Sequence, residues 1–167
     1  MTHLRVTADG WLLTPGGRYR CALGKAGVTA DKREGDHATP AGRFALRRLY
    51  YRADRHPAPN TGLPVSGIAE EDGWCDAPDD PNYNQPVRLP YAASAERMWR
   101  ADALYDYVVV IGYNDAPPVA GKGSAIFLHV AAPDYAGTEG CVALAMDDLV
   151  TVLAALGPES DILIEAP

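Results

Sequence analysis

The chain has 167 residues, 47% apolar and 22% charged, with a net charge of −7. That size and balance predict one globular domain spanning 1–167 with a sizeable core. The acidic charge argues against a nucleic-acid partner, and the lack of a run of about 18 apolar residues argues against a membrane-spanning helix. From the N-terminus, Leu4–Ala8, Trp11–Thr14 and Tyr19–Leu23 are short runs rich in β-formers, broken by Asp9-Gly10 and Pro15-Gly16-Gly17. They predict a meander of hairpins. Gly35–Gly42 is a turn-forming stretch leading into a strand over Arg43–Tyr51. Residues 52–95 carry seven prolines between Pro57 and Pro90, which forbid regular helix interiors and predict an irregular lid or binding loop.

Further along, Ala93–Leu104 is predicted as a short helix. Tyr107–Tyr113 reads as a central strand, apolar on both faces, and Ser124–Ala131 as another. Met146–Leu156 places Leu149, Val150, Leu153 and Leu156 on one helical stripe, closed by Gly157-Pro158. Ile162–Glu165 is a terminal strand. The fold class is therefore mainly β, a sandwich or barrel with one or two short helices packed against it.

The chemistry concentrates near the end. An apolar run ends in His129, and twelve positions later Cys141 follows Gly140. A thiol needs a base to become a nucleophile at neutral pH, and histidine is the usual one. Glycine before the cysteine leaves the backbone open, so N–H groups around Gly140 and Cys141 could hold an oxyanion. Cys21, Cys75 and Cys141 show no CxxC spacing, which argues against a zinc site. A Cys21–Cys75 bridge would require export. Gly121-Lys122-Gly123-Ser124 lacks the spacing of a phosphate loop, and His37, His129 and Cys141 lack that of a metal site. Glu70-Glu71 and Asp79-Asp80 read as solvated acidic loops. Read on their own, His129 and Cys141 are a catalytic pair or a buried strand histidine and an inert thiol, in equal measure.

The block His129…Thr138-Glu139-Gly140-Cys141 resembles the signature of L,D-transpeptidase (YkuD-type) catalytic domains. Gly35-Asp36…Thr39-Pro40-x-Gly42-x-Phe44, Gly112-Tyr113-Asn114 and the Ser124–His129 strand are similar to the same family. The resemblance runs from about Gly35 to the C-terminus. It implies a β-sandwich-like fold and a cysteine acyl transferase acting on peptidoglycan stem peptides or muropeptides. Cys141 would be the nucleophile, His129 the base and Gly140 part of the oxyanion site. Substrate contacts are expected from Tyr113, Asn114, Tyr83, Asn84 and Trp74, with Thr138 and Glu139 at the rim. No cofactor and no metal are implied, and a monomer is expected.

Two positions depart from the family pattern. Many members have histidine where Glu139 stands and arginine where Ala143 stands. A carboxylate near a thiol disfavours the thiolate unless it turns outward or holds a histidine or a substrate ammonium. A missing arginine removes an anchor for a substrate carboxylate. Alternatives to the transpeptidase are a cysteine carboxypeptidase or amidase on the same scaffold, and a non-catalytic muropeptide-binding module. The N-terminus lacks the apolar region of a signal peptide. The chain as written therefore reads as cytoplasmic, or as an envelope protein if a leader lies outside it.

Overall fold

The computed structural model describes residues 2–167. The first strands are β1 (His3–Thr7), β2 (Trp11–Thr14), β3 (Gly17–Ala22), β4 (Val28–Thr29), β5 (Thr39–Pro40) and β6 (Gly42–Tyr51). Next come β7 (Val65–Gly67), β8 (Asp72–Cys75), β9 (Pro86–Arg88), β10 (Ala95–Arg97) and β11 (Tyr107–Ile111). The chain ends with β12 (Phe127–Val130), β13 (Val142–Leu144), the helix α1 (Met146–Leu153) and β14 (Asp161–Ile164). The main sheet runs β11-β12-β13-β3-β2-β1-β14-β6, and β6 pairs back onto β11, so eight strands close into a barrel. The expectation of a mainly β, barrel-like fold holds. The N-terminal meander is the antiparallel run β1-β2-β3.

Alternation along two strands divides the interior. In β11, Tyr107, Val109 and Ile111 face the barrel core with Leu4, Leu12, Leu144 and Ile162. Val108 and Val110 face a second cluster with Ile68, Trp74, Met98, Tyr105, Phe127 and Cys141. Successive side chains of a strand point to opposite faces, so the five buried positions of β11 reflect two cores rather than one. β12 follows suit: Leu128 and Val130 point into the barrel, and Phe127 points outward. Burial of a side chain such as Phe127, fully inaccessible, stabilises by roughly 1.5–3 kcal/mol. The helix closes the barrel with Leu149, Val152 and Leu153; Val150, predicted on its apolar stripe, is exposed.

The outer cluster is roofed by elements that differ from expectation. Residues 52–95 hold β7, β8 and β9, and β8 is the centre of a three-stranded sheet, β10-β8-β9. The predicted helix at Ala93–Leu104 is replaced by β10 and turns. Pairing Glu96 with Trp74 and Ala95 with Cys75 satisfies backbone groups that a short helix would have satisfied internally. Ion pairs fasten the following loop. Arg52 donates two bonds to Asp54, at 2.8 Å each, and one to the Arg100 carbonyl, while its guanidinium stacks on Trp99. Asp106 accepts from Arg55 and pairs with His56. Cys21 and Cys75 are free thiols, buried in different sheets, so the possible bridge is not formed. No helix among the described residues is long and apolar enough to cross a membrane.

Candidate active site

The outer face of β12 and the loop before β13 form one wall of a cavity of about 540 Å³. Parallel pairing sets Leu128 beside Val142 and His129 beside Ala143. Paired residues share a face, so His129 and Ala143 point outward together with Cys141, two positions before Ala143. All three line the cavity. Lys32, Glu34, Asp76, Glu96, Arg100 and Tyr105 complete its charged and polar walls.

The Cys141 sulfur donates to the Ala125 carbonyl at 3.2 Å and accepts from the Phe127 N–H at 3.4 Å. His129 is not among its hydrogen-bond partners. Burial pushes the thiol up to about 12 and the Glu96 carboxylate adds to this; the Phe127 N–H and Lys32 act the other way. His129 Nδ1 lies 2.8 Å from the Val130 carbonyl. A carbonyl only accepts, so Nδ1 carries the hydrogen and Nε2 keeps its lone pair. Burial lowers the imidazole to about 4, outweighing that bond, and the Arg100 charge lowers it further. Tyr105 packs edge-on against His129, with ring centroids 5.2 Å apart. Its hydroxyl donates to the half-buried Glu96. Burial raises the Glu96 carboxyl, and the charges of Asp76 and Glu34 raise it further.

The Gly137–Cys141 loop is held by the Gly35–Gly42 turn. Gly24 bridges to Thr138, and the Gly24 N–H donates to the Thr39 hydroxyl at 2.9 Å. Gly140 has φ +144°, and a Cβ there would come within 2.8 Å of the Ala38 carbonyl oxygen. Only glycine therefore allows the turn to approach this closely. The Gly140 N–H donates to Thr138 Oγ1 at 3.1 Å, and Thr138 Oγ1 donates to the Cys141 carbonyl at 2.7 Å. The Gly140 amide expected at an oxyanion site is thus engaged within its own loop. Among the described residues, the Cys141 N–H meets no acceptor outside the strand ladders.

The predicted substrate residues separate into two groups. Thr138 and Glu139 line the cavity. Trp74, Tyr83, Asn84, Tyr113 and Asn114 do not; they form the framework behind it. Asn84 accepts from Trp74 Nε1 and the Ala125 N–H, both at 3.0 Å, and donates to the carbonyls of Tyr113 and Asn114. Tyr83 donates to Glu34 at 2.7 Å and accepts from the Gly123 N–H at 2.9 Å. The Tyr113 hydroxyl donates to the Lys122 carbonyl. Asn114 fastens its own loop, donating to the Val119 and Gly123 carbonyls and accepting from the Val119 N–H. Each of these polar groups is engaged within the protein. Sequence reasoning missed Lys32, Glu96, Arg100 and Tyr105. The one local signal was the i, i+4 pair of Lys32 and Asp36.

Among the described residues, no group of three or more His, Cys, Asp or Glu side chains is placed to hold a metal ion. The family model of the YkuD, L,D-transpeptidase catalytic domain matches residues 3–164. No curated protein matches significantly. Among solved structures, the chain is similar to Mycobacterium tuberculosis L,D-transpeptidase 1 at 11% identity, covering 99% of this chain and 59% of that one, with a TM-score of 0.46. An L,D-transpeptidase from Mycobacterium smegmatis gives 13% identity, 99% and 58% coverage, and a TM-score of 0.46. The helical cell shape determining protein Pgp2 from Campylobacter jejuni gives 14%, 99% and 48%, and 0.46. This chain thus spans less than two thirds of the length of each.

Proposed function

The chain belongs to the L,D-transpeptidase catalytic domain family, and on that premise we propose that it is a cysteine acyl transferase acting on peptidoglycan stem peptides. The observation that carries this reading is the shared outward face of His129 and Cys141 on neighbouring parallel strands, opening into one cavity with His129 Nε2 free.

In this reading the reaction starts from a neutral thiol and a neutral imidazole, because burial disfavours both charged forms. The Cys141 S–H turns from the Ala125 carbonyl toward His129. Nε2 takes its proton as the sulfur attacks the amide carbonyl carbon, and the carbonyl oxygen becomes an oxyanion facing the Cys141 N–H. The C–N bond then breaks, and His129 passes the proton to the leaving amine. The thioester is opened by a second stem's amine, which gives its proton to His129 and restores the thiol. Water in place of the amine would make the enzyme a carboxypeptidase.

Incubation with a disaccharide-tetrapeptide, followed by mass spectrometry, tests this. A cross-linked dimer that has lost one D-alanine, absent with Cys141→Ser, is the expected product. Loss of D-alanine alone would replace transfer with hydrolysis. Unchanged substrate would favour the binding module.

A further inference from the structure

Lys32 lies between β4 and β5, in a segment with no regular structure, yet its side chain is only 4% exposed. Two glycines make room for it. A Cβ on Gly123 would stand 3.1 Å from Lys32 Cε, and one on Gly140 would stand 3.4 Å from Nζ. The ammonium therefore rests against the Cα of the residue before the thiol, and it lines the cavity. Asp36 Oδ1 holds it at 2.5 Å. The carboxylate is itself fixed by the N–H groups of Arg33 at 2.8 Å and Ala38 at 3.0 Å. Burial works against the Asp36 carboxylate, but these bonds hold its carboxyl below the ordinary range. An ammonium has three donors, and Asp36 engages one. A buried cation is costly unless it is compensated, so one engaged through a single donor in the cavity that holds the thiol calls for a role.

The surroundings of the sulfur supply that role. Glu96 and Glu139 both raise the Cys141 thiol, and the Tyr105 hydroxyl donates to Glu96. Glu34 and Asp76 add negative charge to the walls. Arg100 is the other cation lining the cavity, but it is clamped by both oxygens of Asp102, at 2.9 and 2.7 Å, and acts against a charged His129. Lys32, the remaining cation of the cavity lining, favours a charged sulfur.

We propose that Lys32 is a positioning residue of the acyl-transfer reaction: threaded between Gly123 and Gly140 and held by Asp36, its ammonium supplies the positive charge against which Cys141 gives up its proton to His129. Asp36 sets how much of that charge the sulfur feels. The proposal rests on Cys141 being the nucleophile. It also gives the Asp36 turn a second task besides its fold.

The test is the pH profile of Cys141 alkylation, followed by peptide mapping so that Cys21 and Cys75 are counted apart, beside the rate of acyl transfer. Lys32→Met removes the cation and is expected to move the midpoint up by about one pH unit, with transfer slowed about tenfold or more. Lys32→Arg restores the charge and the profile. Asp36→Asn keeps the cation and removes its counter-charge, so the midpoint moves down. Opposite shifts in the two variants are what a merely structural pair would not produce. Should Lys32→Met unfold, Asp36→Asn and Lys32→Arg still decide the matter. Unmoved midpoints, or shifts of the same sign in Lys32→Met and Asp36→Asn, overturn the role of Lys32 while transfer still depends on Cys141. Full transfer by Cys141→Ser overturns the nucleophile and with it this proposal.

Discussion

Glu139 and His37 meet across the two loops that rim the cavity: one Glu139 oxygen contacts His37 Nδ1, and the other accepts from Lys25 Nζ at 2.9 Å. The carboxylate that replaces the usual histidine therefore turns outward, with its side chain 69% exposed, and holds a histidine from the neighbouring turn. The hydrogen bond from Lys25 lowers its carboxyl, and His37 adds to this against a small cost of burial.

Glu139→Gln is expected to change stability at pH 7 by no more than about 1 kcal/mol, because exposed ion pairs are screened by water. The folded carboxyl lies below its unfolded value, so its contribution is present above about pH 4.3 and fades as pH falls through the folded value. Glu139 also raises the Cys141 thiol. The variant should therefore alkylate at Cys141 with a slightly lower midpoint. Thermal melts at pH 7 and pH 3.5, with the alkylation profile, check both. Loss of alkylation would mean that Glu139 builds the site rather than rims it.

His129 should leave its mark on the acid side. With the imidazole lowered to about 4, the base is neutral throughout the physiological range, and the acid limb of kcat/KM is expected near pH 4 rather than 6.5. An acid limb at 6.5 would place the base elsewhere. His129→Ala should lower transfer about 10²- to 10⁴-fold. The same residue bears on stability. Between the unfolded value near 6.5 and the folded value near 4, the unfolded chain binds a proton that the folded chain does not. Stability from this group is full above about pH 6.5 and is lost as pH falls toward 4, a change of order 3 kcal/mol. Wild type should therefore lose more stability than His129→Gln between pH 7 and pH 4.5 in urea melts.

Asn84 separates framework from substrate contact. It is 6% exposed, has φ +58°, and uses its amide for four bonds to Trp74, Ala125, Tyr113 and Asn114. Asn84→Ala leaves buried donors and acceptors unmet and is expected to destabilise by about 2–4 kcal/mol. If Asn84 touches substrate instead, KM will rise while the melting temperature stays put.

How much of this was readable from the chain depends on where each residue's environment comes from. β11 and β12 show as apolar runs, Tyr107–Ile111 and Phe127–Val130, because both of their faces are covered, and the terminal strand shows in the short β-forming run that ends the chain. His129 and Cys141, which line one cavity, stand out as candidates because their side-chain chemistry is rare at a strand end. Lys32 and Glu96 were not, since a charged side chain in a turn or loop reads as solvated, and only contact with distant glycines or Tyr105 buries it. Ala93–Leu104 read as a helix because nothing local announces its ladder with β8. Trp74, Tyr83 and Asn84 looked like substrate contacts for a related reason. Polar and aromatic side chains in a proline-rich loop serve binding and bracing alike, and here their polar groups bond within the protein.

Glu96 is the strongest charge acting against the Cys141 thiolate. Burial raises its own carboxyl, and the Tyr105 hydroxyl caps it from the side of His129. Removing that charge while keeping the acceptor should ease ionisation of the sulfur, so Glu96→Gln is expected to lower the midpoint of Cys141 alkylation. The effect on transfer has a separate sign. A substrate amine arriving in the cavity is cationic, and Glu96 with Glu34 and Asp76 forms the negative wall that would attract it. Glu96→Gln should therefore label faster yet transfer more slowly at low acceptor concentration, with KM for the amine raised and the hydrolytic share of products increased. Ionic strength checks the electrostatic origin: added salt should raise the wild-type KM for the amine and leave that of Glu96→Gln less changed. A midpoint that stays fixed in Glu96→Gln would mean that Tyr105, rather than the carboxylate, shields the sulfur.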